Sequence, residues 1–411
     1  MIINKISKIY LDYHVTYKKL PSCQRPIWIK NQIQNLGPTY IKIGQFLSTR
    51  SDIIGDNVDL VNGLKQLREN VDPIAWNLIE DMVDTTKFKE INRAPLATAS
   101  IGQVHRAITL DDRDVILKIR KPRVIESIRN DVGFYIFVLS ISNRIYPSPQ
   151  IAELIGILTN IKKSVINECD LDNEAKNINI FQNLKLKRLC IPEVIPELCT
   201  DDIIVMTYVS SIKMTDAYKT PLKRKKLSLA IMSMFIQQFI QKGVIHGDPH
   251  PGNFAMTPDK TCFVLYDFGH IVTLDKKVRD NMKLFVFELM NENIDNIIKI
   301  IRRVPELIVI NNESLLRLYI KEYIKYIKLV DIAVLKDLAP SEHTDLPFKF
   351  SPKVFELIRL FGIIEGICLD LDPMFSYSEV FEQNSNMFIN DTDFLYLKTG
   401  LDIDTLIENI L

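Results

Sequence analysis

The sequence carries no surplus of charge: 51 Lys and Arg face 51 Asp and Glu. A balanced chain lacks the global positive field that draws proteins onto nucleic acid or anionic lipid, so any charged partner must be met by a local site, and nucleic acid is not expected as a partner. Cysteine is sparse, and Cys23, Cys169, Cys190, Cys199, Cys262 and Cys368 form no C-x-x-C pair. That excludes a zinc ribbon and a redox dithiol motif and points to buried thiols in a reducing compartment. Glycine (14) and proline (19) are too few for a collagen-like or low-complexity chain. Long apolar runs are missing as well. The longest, near Val132–Ile141, is about half the ~20 residues a spanning helix needs. The opening MIINKISKIYLDYHVTYKKL has neither the apolar core of a secretory signal nor the acid-free, Arg-rich character of a transit peptide. The closing TDFLYLKTGLDIDTLIENIL is interrupted by charges and cannot span a bilayer. The expectation is a cytoplasmic protein, with peripheral contact to a membrane left open.

What is present is an ordinary globular composition over 411 residues, 47% hydrophobic and 25% charged, enough for two or three structural units. Residues 1–35 read as helical with polar breaks, Gly37-Pro38 punctuates, and Thr39–Ser48 reads as a helix with Pro38 in its first turn. Residues 56–90 read as further amphipathic helix, with Pro73 as a start signal. From Ile91 the texture changes: Ala94–Ala107 and Asp114–Ile119 predict strands around a small-residue loop. Residues 124–142 and 152–183 return to helical periodicity, and Ile203–Met206 reads as a buried strand. From Leu222 the chain is mostly helical, broken by a loop-and-strand insert at 246–274. The division expected is a helical extension over 1–90, a strand-containing part over 91–209 and a helical part over 210–411.

The most informative segment is Val244-Ile245-His246-Gly247-Asp248-Pro249-His250-Pro251-Gly252-Asn253-Phe254, followed by Asp267-Phe268-Gly269 at the end of an apolar run. Phosphoryl transfer needs one carboxylate to orient or deprotonate the acceptor, and an Asn and a second Asp to hold magnesium against phosphates. Asp-x4-Asn, then a strand ending in Asp-Phe-Gly, is the order of kinase-like enzymes. Asp248 is thus the candidate catalytic carboxylate, and Asn253 and Asp267 the candidate metal ligands. A transition-metal site from His246, Asp248, His250 and His270 is the alternative, but it leaves Asp-Phe-Gly unexplained, and the histidines are better read as loop braces.

Such a site also needs a strand lysine on the phosphates and a helix glutamate to hold it. Lys118, in Val115–Ile119, fits the first role. The second falls in Glu168-Cys169-Asp170-Leu171-Asp172-Asn173-Glu174-Ala175-Lys176-Asn177, where a helix would put Asp170, Glu174 and Asn177 on one face. Carboxylates four apart repel by roughly 0.2–0.5 kcal/mol, so the cluster reads either as a solvated acidic face or as one neutralised by cations from elsewhere. Upstream, where G-x-G-x-x-G is expected over phosphates, the chain has Ala97-Thr98-Ala99-Ser100-Ile101-Gly102. Alanine restricts positive φ, so this loop should cradle phosphates differently.

Five ordered blocks resemble the ADCK/UbiB (aarF-domain) atypical kinase-like family: LGPTYIKIGQ at 36–45, APLATASIGQVHRA at 94–107, VILKIRKP at 115–122, ECDLDNEAKN at 168–177, and HGDPHPGNF with YDFG at 246–254 and 266–269. IIEGICLDLDP at 363–373 is a weaker sixth. The resemblance implies an α+β, bilobal protein-kinase-like fold, with a strand-containing N-lobe, a mostly helical C-lobe and a helical extension bearing K-x-G-Q. It implies ATP or ADP binding with Mg2+, and a role as an unorthodox kinase or ATPase supporting ubiquinone or related prenyl-lipid metabolism. Lys118 would hold phosphates, fixed by Glu174, and with Asp248 these are the catalytic residues implied. Ala97, Thr98, Ala99, Ser100, Gly102 and Met206 would line the nucleotide. Lys42, Gln45, Glu168 and Asp170 would gate the site, Lys42 meeting the Glu168/Asp170 pair. Gly44, inside a helix at a cost of about 1 kcal/mol relative to Ala, implies tight packing there. Thr207 stands where the family often has an acidic residue. Beside the nucleotide, a prenyl-lipid or phenolic small molecule is a partner the resemblance implies, and the phosphoryl acceptor is not fixed by it.

Asp267-Phe268-Gly269 is followed almost at once by Leu274–Met290, which reads as a helix, and no A-P-E follows, so little platform exists for an extended peptide. The basic run Lys223–Lys226 reads as a solvated helix entry. Two rival readings stand: a small-molecule kinase of the aminoglycoside or choline type, which H-G-D-x-H-x-G-N also resembles, and a non-catalytic, nucleotide-gated scaffold.

Overall fold

The computed structural model describes residues 12–48, 57–69, 71–214, 220–304, 308–329, 348–377 and 379–380. The first eleven residues and the closing stretch from 392, on which the expectations about signals and anchors bear, lie outside them. Two compact units are formed, one from residues up to 179 together with 192–208, the other from 180–191 and the residues from 209 onward.

In the first unit, α1 (Arg25–Leu36) and α2 (Pro38–Leu47) are split by Gly37, whose φ of 116° ends one helix before Pro38 opens the next. Over residues 12–35, a helical stretch at 12–15 and single 3-10 turns at Tyr17–Lys19 and Ser22–Gln24, around Pro21, precede α1, so the helical reading holds there with interruptions. Next comes α3 (Val58–Glu69). Ile41, Leu64 and Leu67 form a small core among these three helices. Pro73 does not start a helix. Three one-turn 3-10 segments follow it, at Trp76–Leu78, Glu80–Met82 and Thr85–Lys87. The buried Gln103 amide captures both backbone groups of Ile74, and Trp76 lies edge-on to His105 at 4.9 Å. Tertiary partners thus take the backbone groups that a helix would need.

The sheet is antiparallel, in the order β1 (Phe88–Ile91), β3 (Gly102–Thr109), β4 (Asp114–Arg120), β6 (Ile203–Thr207), with β2 (Ala97–Thr98) on β3. Along β4 the period of two is strict. Val115, Leu117 and Ile119 are fully buried in a core with Ile79, Ile195 and Val205, while Ile116, Lys118 and Arg120 take the other face. Then come α4 (Val124–Ile145), α5 (Pro149–Glu168) and α6 (Leu171–Asn183). The periodicity over 152–183 is thus two helices, because Asp170 accepts the Asn173 N–H at 2.9 Å and starts α6 afresh.

In the second unit, β5 (Leu189–Cys190), β9 (Phe263–Leu265) and β8 (Phe254–Met256) form one small sheet, and β7 (Val244–His246) pairs with β10 (Ile271–Thr273). Around them lie α7 (Pro221–Gln237), α8 (Lys276–Met290), α9 (Ile294–Arg303), α10 (Glu313–Leu329) and α11 (Pro352–Leu371), with the hairpin of β11 (Ile308–Ile310) and β12 (Phe348–Phe350). Lys223–Lys226 lies in the first turns of α7, where Lys225 pairs with Glu379 at 2.7 Å.

Candidate active site

The first unit assembles the cationic and acidic side chains. β4 points Lys118 away from the core, and both Glu174 carboxylate oxygens accept from its Nζ at 2.7 Å. The Glu174 side chain is 2% exposed and that of Lys118 17% exposed. Pairing is what makes so deep a carboxylate tolerable. Lys42, on α2, reaches Glu168 at 2.6 Å. Asp170 serves as the cap of α6, and Gln45 donates to the Leu67 carbonyl at 2.8 Å, bracing α2 on α3. So the four residues expected to act together divide: Lys42 and Glu168 form a pair, while Gln45 and Asp170 bond to backbone groups that hold helices. Gly44 is packed as tightly as expected, for a Cβ there would lie 2.5 Å from Leu67 Cδ1.

Arg120 was not singled out from the sequence. Its guanidinium donates to the Cys169 carbonyl at 2.7 Å and to Asp202. That satisfies an orphan carbonyl at the end of α5 and fixes the turn between Glu168 and Asp170. Only its place two residues after Lys118, on the same strand face, could have signalled it.

The loop over 97–102 is a tight connection. Ala97 and Thr98 pair with Val104 and Gln103, and the Ala99 N–H donates to the Gly102 carbonyl at 2.8 Å. None of its residues has positive φ, which is why alanine is accepted where a glycine-rich loop needs glycine. Ser100 is buried, and the Lys121 N–H holds the Ile101 carbonyl at 2.8 Å. Burial pushes the Lys121 ammonium down to about 8, against the nearby Asp72 carboxylate. Met206 is buried in β6, paired with Ile116.

The second unit assembles the loop carboxylates. Antiparallel pairing of β8 with β9, extended by the Tyr266 N–H on the Asn253 carbonyl at 2.7 Å, sets Asn253 beside the residue preceding Asp267. Asn253 Nδ2 donates to both the carbonyl and the Oδ2 of Asp248 at 3.1 Å. With its amide donors committed there, the Asn253 amide oxygen is the atom suited to a hard cation. Asp267 adopts φ 55°, a left-handed conformation rare for a residue with a Cβ. An amide oxygen and a carboxylate on adjoining loops fit magnesium.

His246 is fully buried. Its Nε2 faces the carbonyls of Tyr266 (2.9 Å) and Asp267 (3.0 Å) and so carries the proton, while Nδ1 accepts the Asp248 N–H at 3.4 Å. Burial holds this imidazole below its usual range and keeps it neutral. It ties the Asp248 loop to the Asp267 loop. Phe268 is buried against it at 5.3 Å and against Phe181 at 5.1 Å. His250 accepts the Gly252 N–H, and His270 bonds Glu356. Among the described residues no three His, Cys, Asp or Glu side chains gather as a metal ligand set. Gln238 was also missed from the sequence. It sits in a π-helical turn, Gln238–Lys242, and its side-chain oxygen accepts the His246 N–H at 3.0 Å. A polar residue on an apolar helix was its signal. π-turns recur near functional sites.

A strand lysine held by a helix glutamate, an Asp-x4-Asn loop and a strand ending in Asp-Phe-Gly define a protein kinase-like molecule of α+β class. A family model for the ABC1 atypical kinase-like domain matches residues 66–301, more than half of the chain. The chain belongs to that family. It is 29% identical over 403 residues to an uncharacterised Clostridium pasteurianum protein encoded in the hydrogenase 1 5′ region, covering 89% of this chain and 72% of that protein. It is 28% identical over 301 residues to the probable protein kinase UbiB of Vibrio cholerae, covering 66% of this chain and 55% of that protein. A solved Mycobacterium tuberculosis structure, the complex of Rv3197 with erythromycin, superposes with a TM-score of 0.58 at 20% identity, covering 76% of this chain and 83% of that one. That likeness concerns the fold. The chain spans about half the length of several curated relatives.

Proposed function

We propose that this chain transfers or hydrolyses the terminal phosphoryl group of ATP in a magnesium-dependent reaction, as an atypical kinase or ATPase. The observation that carries the reading is the Lys118–Glu174 pair, in which both carboxylate oxygens grip one strand lysine and aim it away from the core. Lys118 holds phosphate oxygens, with Glu174 fixing its orientation. The loop over 97–102 covers the phosphates with a backbone that needs no left-handed residue, and Met206 contacts the base. Asn253 and Asp267 would hold magnesium, which when bound would neutralise charge on the phosphates. Asp248, steadied by Asn253 and by the neutral His246, positions a hydroxyl or water and accepts its proton. Lys42 and Glu168 control access, with Gln45 and Asp170 keeping their helices in register.

The acceptor class that suits this reading is a prenyl-lipid or phenolic small molecule, met at or near a membrane surface. Support comes from the family and from the short segment after Asp267-Phe268-Gly269, where β10 and then α8 follow directly. Among the described residues no helix is long and apolar enough to cross a membrane.

Asp267→Asn is expected to abolish magnesium-dependent stabilisation by ATP or ADP in a thermal-shift assay. Stabilisation equal to that of the wild type would remove Asp267 from the metal site. ATP turnover with and without lipid vesicles and quinone-precursor-like phenols then separates catalysis from a scaffold, which would show none.

A further inference from the structure

Glu356 lies in the second turn of α11, and its Oε1 bonds His270 Nε2 at 2.7 Å, across 86 residues of chain. His270 follows Asp267-Phe268-Gly269, and its ring is seated on the backbone of Gly247, the residue immediately before Asp248. A Cβ at position 247 would fall 2.2 Å from His270 Cδ2. Only glycine accepts the ring there. The His270 main chain is already held, since its carbonyl accepts the Gly247 N–H at 3.0 Å and β10 continues in register with β7. What remains free is rotation of the side chain, which is half exposed. The bond to Glu356 removes that freedom. Glu356 in turn stands on a rigid support, because its neighbours Leu357 and Leu360 are buried, and Cys368 further along α11 donates to the Ser228 carbonyl of α7 at 3.3 Å.

We propose that Glu356 is a positioning residue for the loop carrying Asp248, acting through the His270 ring on Gly247; as a statement about catalysis this rests on the phosphoryl-transfer reading above. Glycine has the widest backbone freedom of any residue, so a loop hinged at Gly247 needs a lateral stop. The ring is that stop, and Glu356 keeps it in place. Transfer chemistry is sensitive to ångström-level placement of the acceptor group. A half-exposed pair adds little to global stability. Its loss should therefore be felt in turnover rather than in unfolding.

The test compares Glu356→Ala with Glu356→Gln in the full chain, the glutamine retaining the acceptor oxygen. The readouts are kcat and KM for magnesium-dependent ATP turnover, the unfolding temperature, and amide hydrogen exchange over residues 247–253. Glu356→Ala is expected to lower kcat by about 10–100-fold with KM for ATP within about two-fold, to speed exchange over 247–253, and to leave the unfolding temperature nearly unchanged. Glu356→Gln should restore kcat and exchange to within about three-fold of wild type. Unchanged kcat and exchange in Glu356→Ala, or equal losses in both variants, would overturn the proposal. If the wild-type chain turns over no ATP, the phosphoryl-transfer reading fails, and exchange over 247–253 alone decides whether Glu356 positions the loop.

Discussion

Lys118 and Lys42 each meet a glutamate at hydrogen-bond distance, yet burial separates their energetics. The Glu174 carboxylate is almost wholly buried, whereas the Lys42 and Glu168 side chains are 24% and 34% exposed. Removing one partner of a buried pair costs about 3–5 kcal/mol, and of an exposed pair about 0–1 kcal/mol. Lys118→Met is therefore expected to destabilise the chain by about 3 kcal/mol in urea unfolding, and Lys42→Met by less than about 1 kcal/mol. Equal losses would mean that Glu174 is hydrated. The buried histidines set a pH dependence. Burial lowers the folded-state pKa of His246 and His105 below the unfolded value. The unfolded chain then binds more protons below about pH 6.5, so stability should fall as pH drops from 7.5 to 5.5. The limiting slope is about 1.4 kcal/mol per pH unit for each histidine. Urea titrations across that range check the sign, and His105→Gln should flatten the slope. The identities of Lys118, Asp248, Asn253 and Asp267 were legible as residue types at fixed spacing. The partners of Gln45 and the role of Arg120 were not, because a side-chain-to-carbonyl bond leaves no pattern along the chain.

Helix α2 shows how local preference and packing compete. Gly44 is a poor helix residue, and Ala would gain about 1 kcal/mol in an isolated helix. Here the added methyl would press on Leu67, which has no exposed surface, and overpacking costs about 1–3 kcal/mol. Gly44→Ala is thus expected to destabilise the chain by about 1 kcal/mol net, and pairing it with Leu67→Ala should recover part of the loss at the α2–α3 contact. A stabilised single variant in thermal unfolding would contradict the packing. Strands β3 and β4 were readable from their β-branched residues around a small-residue loop, β6 from its continuous apolar run, and α2, α4, α5 and α8 from their periodicity and starts. The segment after Pro73 was misread as helix because Gln103 and His105, some thirty residues on, decide its backbone. The joint between α5 and α6 was hidden for a related reason: Asp170 is as good a cap as it is a member of an acidic cluster.

Across the whole molecule, ligand linkage offers the broadest check. A nucleotide–magnesium complex that binds the folded chain alone should add about 2.7 kcal/mol of stability at a hundred-fold excess over its Kd. A magnesium chelator should withdraw most of that gain, since polyphosphate without its cation meets Asp267 as a like charge. No gain with magnesium present would shift weight away from a nucleotide enzyme. Membership of the ABC1 family and the kinase-like fold agree with the order of motifs read along the chain.

Spacing and residue type were enough to name the candidates, namely Lys118, Asp248, Asn253 and Asp267, and to show a chain with no charge surplus and no long apolar run. These are properties of composition and short-range order, which survive in one dimension. Folding alone settled which groups share a bond. It picked Glu168 for Lys42 from the expected Glu168/Asp170 pair, gave Gln45 to a backbone carbonyl, seated the His246 brace on the carbonyls of Tyr266 and Asp267, and brought Glu356 to the ring that covers Gly247. Each of those depends on residues 20 to 126 positions apart reaching the same few ångströms, and only burial, hydrogen-bond demand and close packing in three dimensions select such pairs.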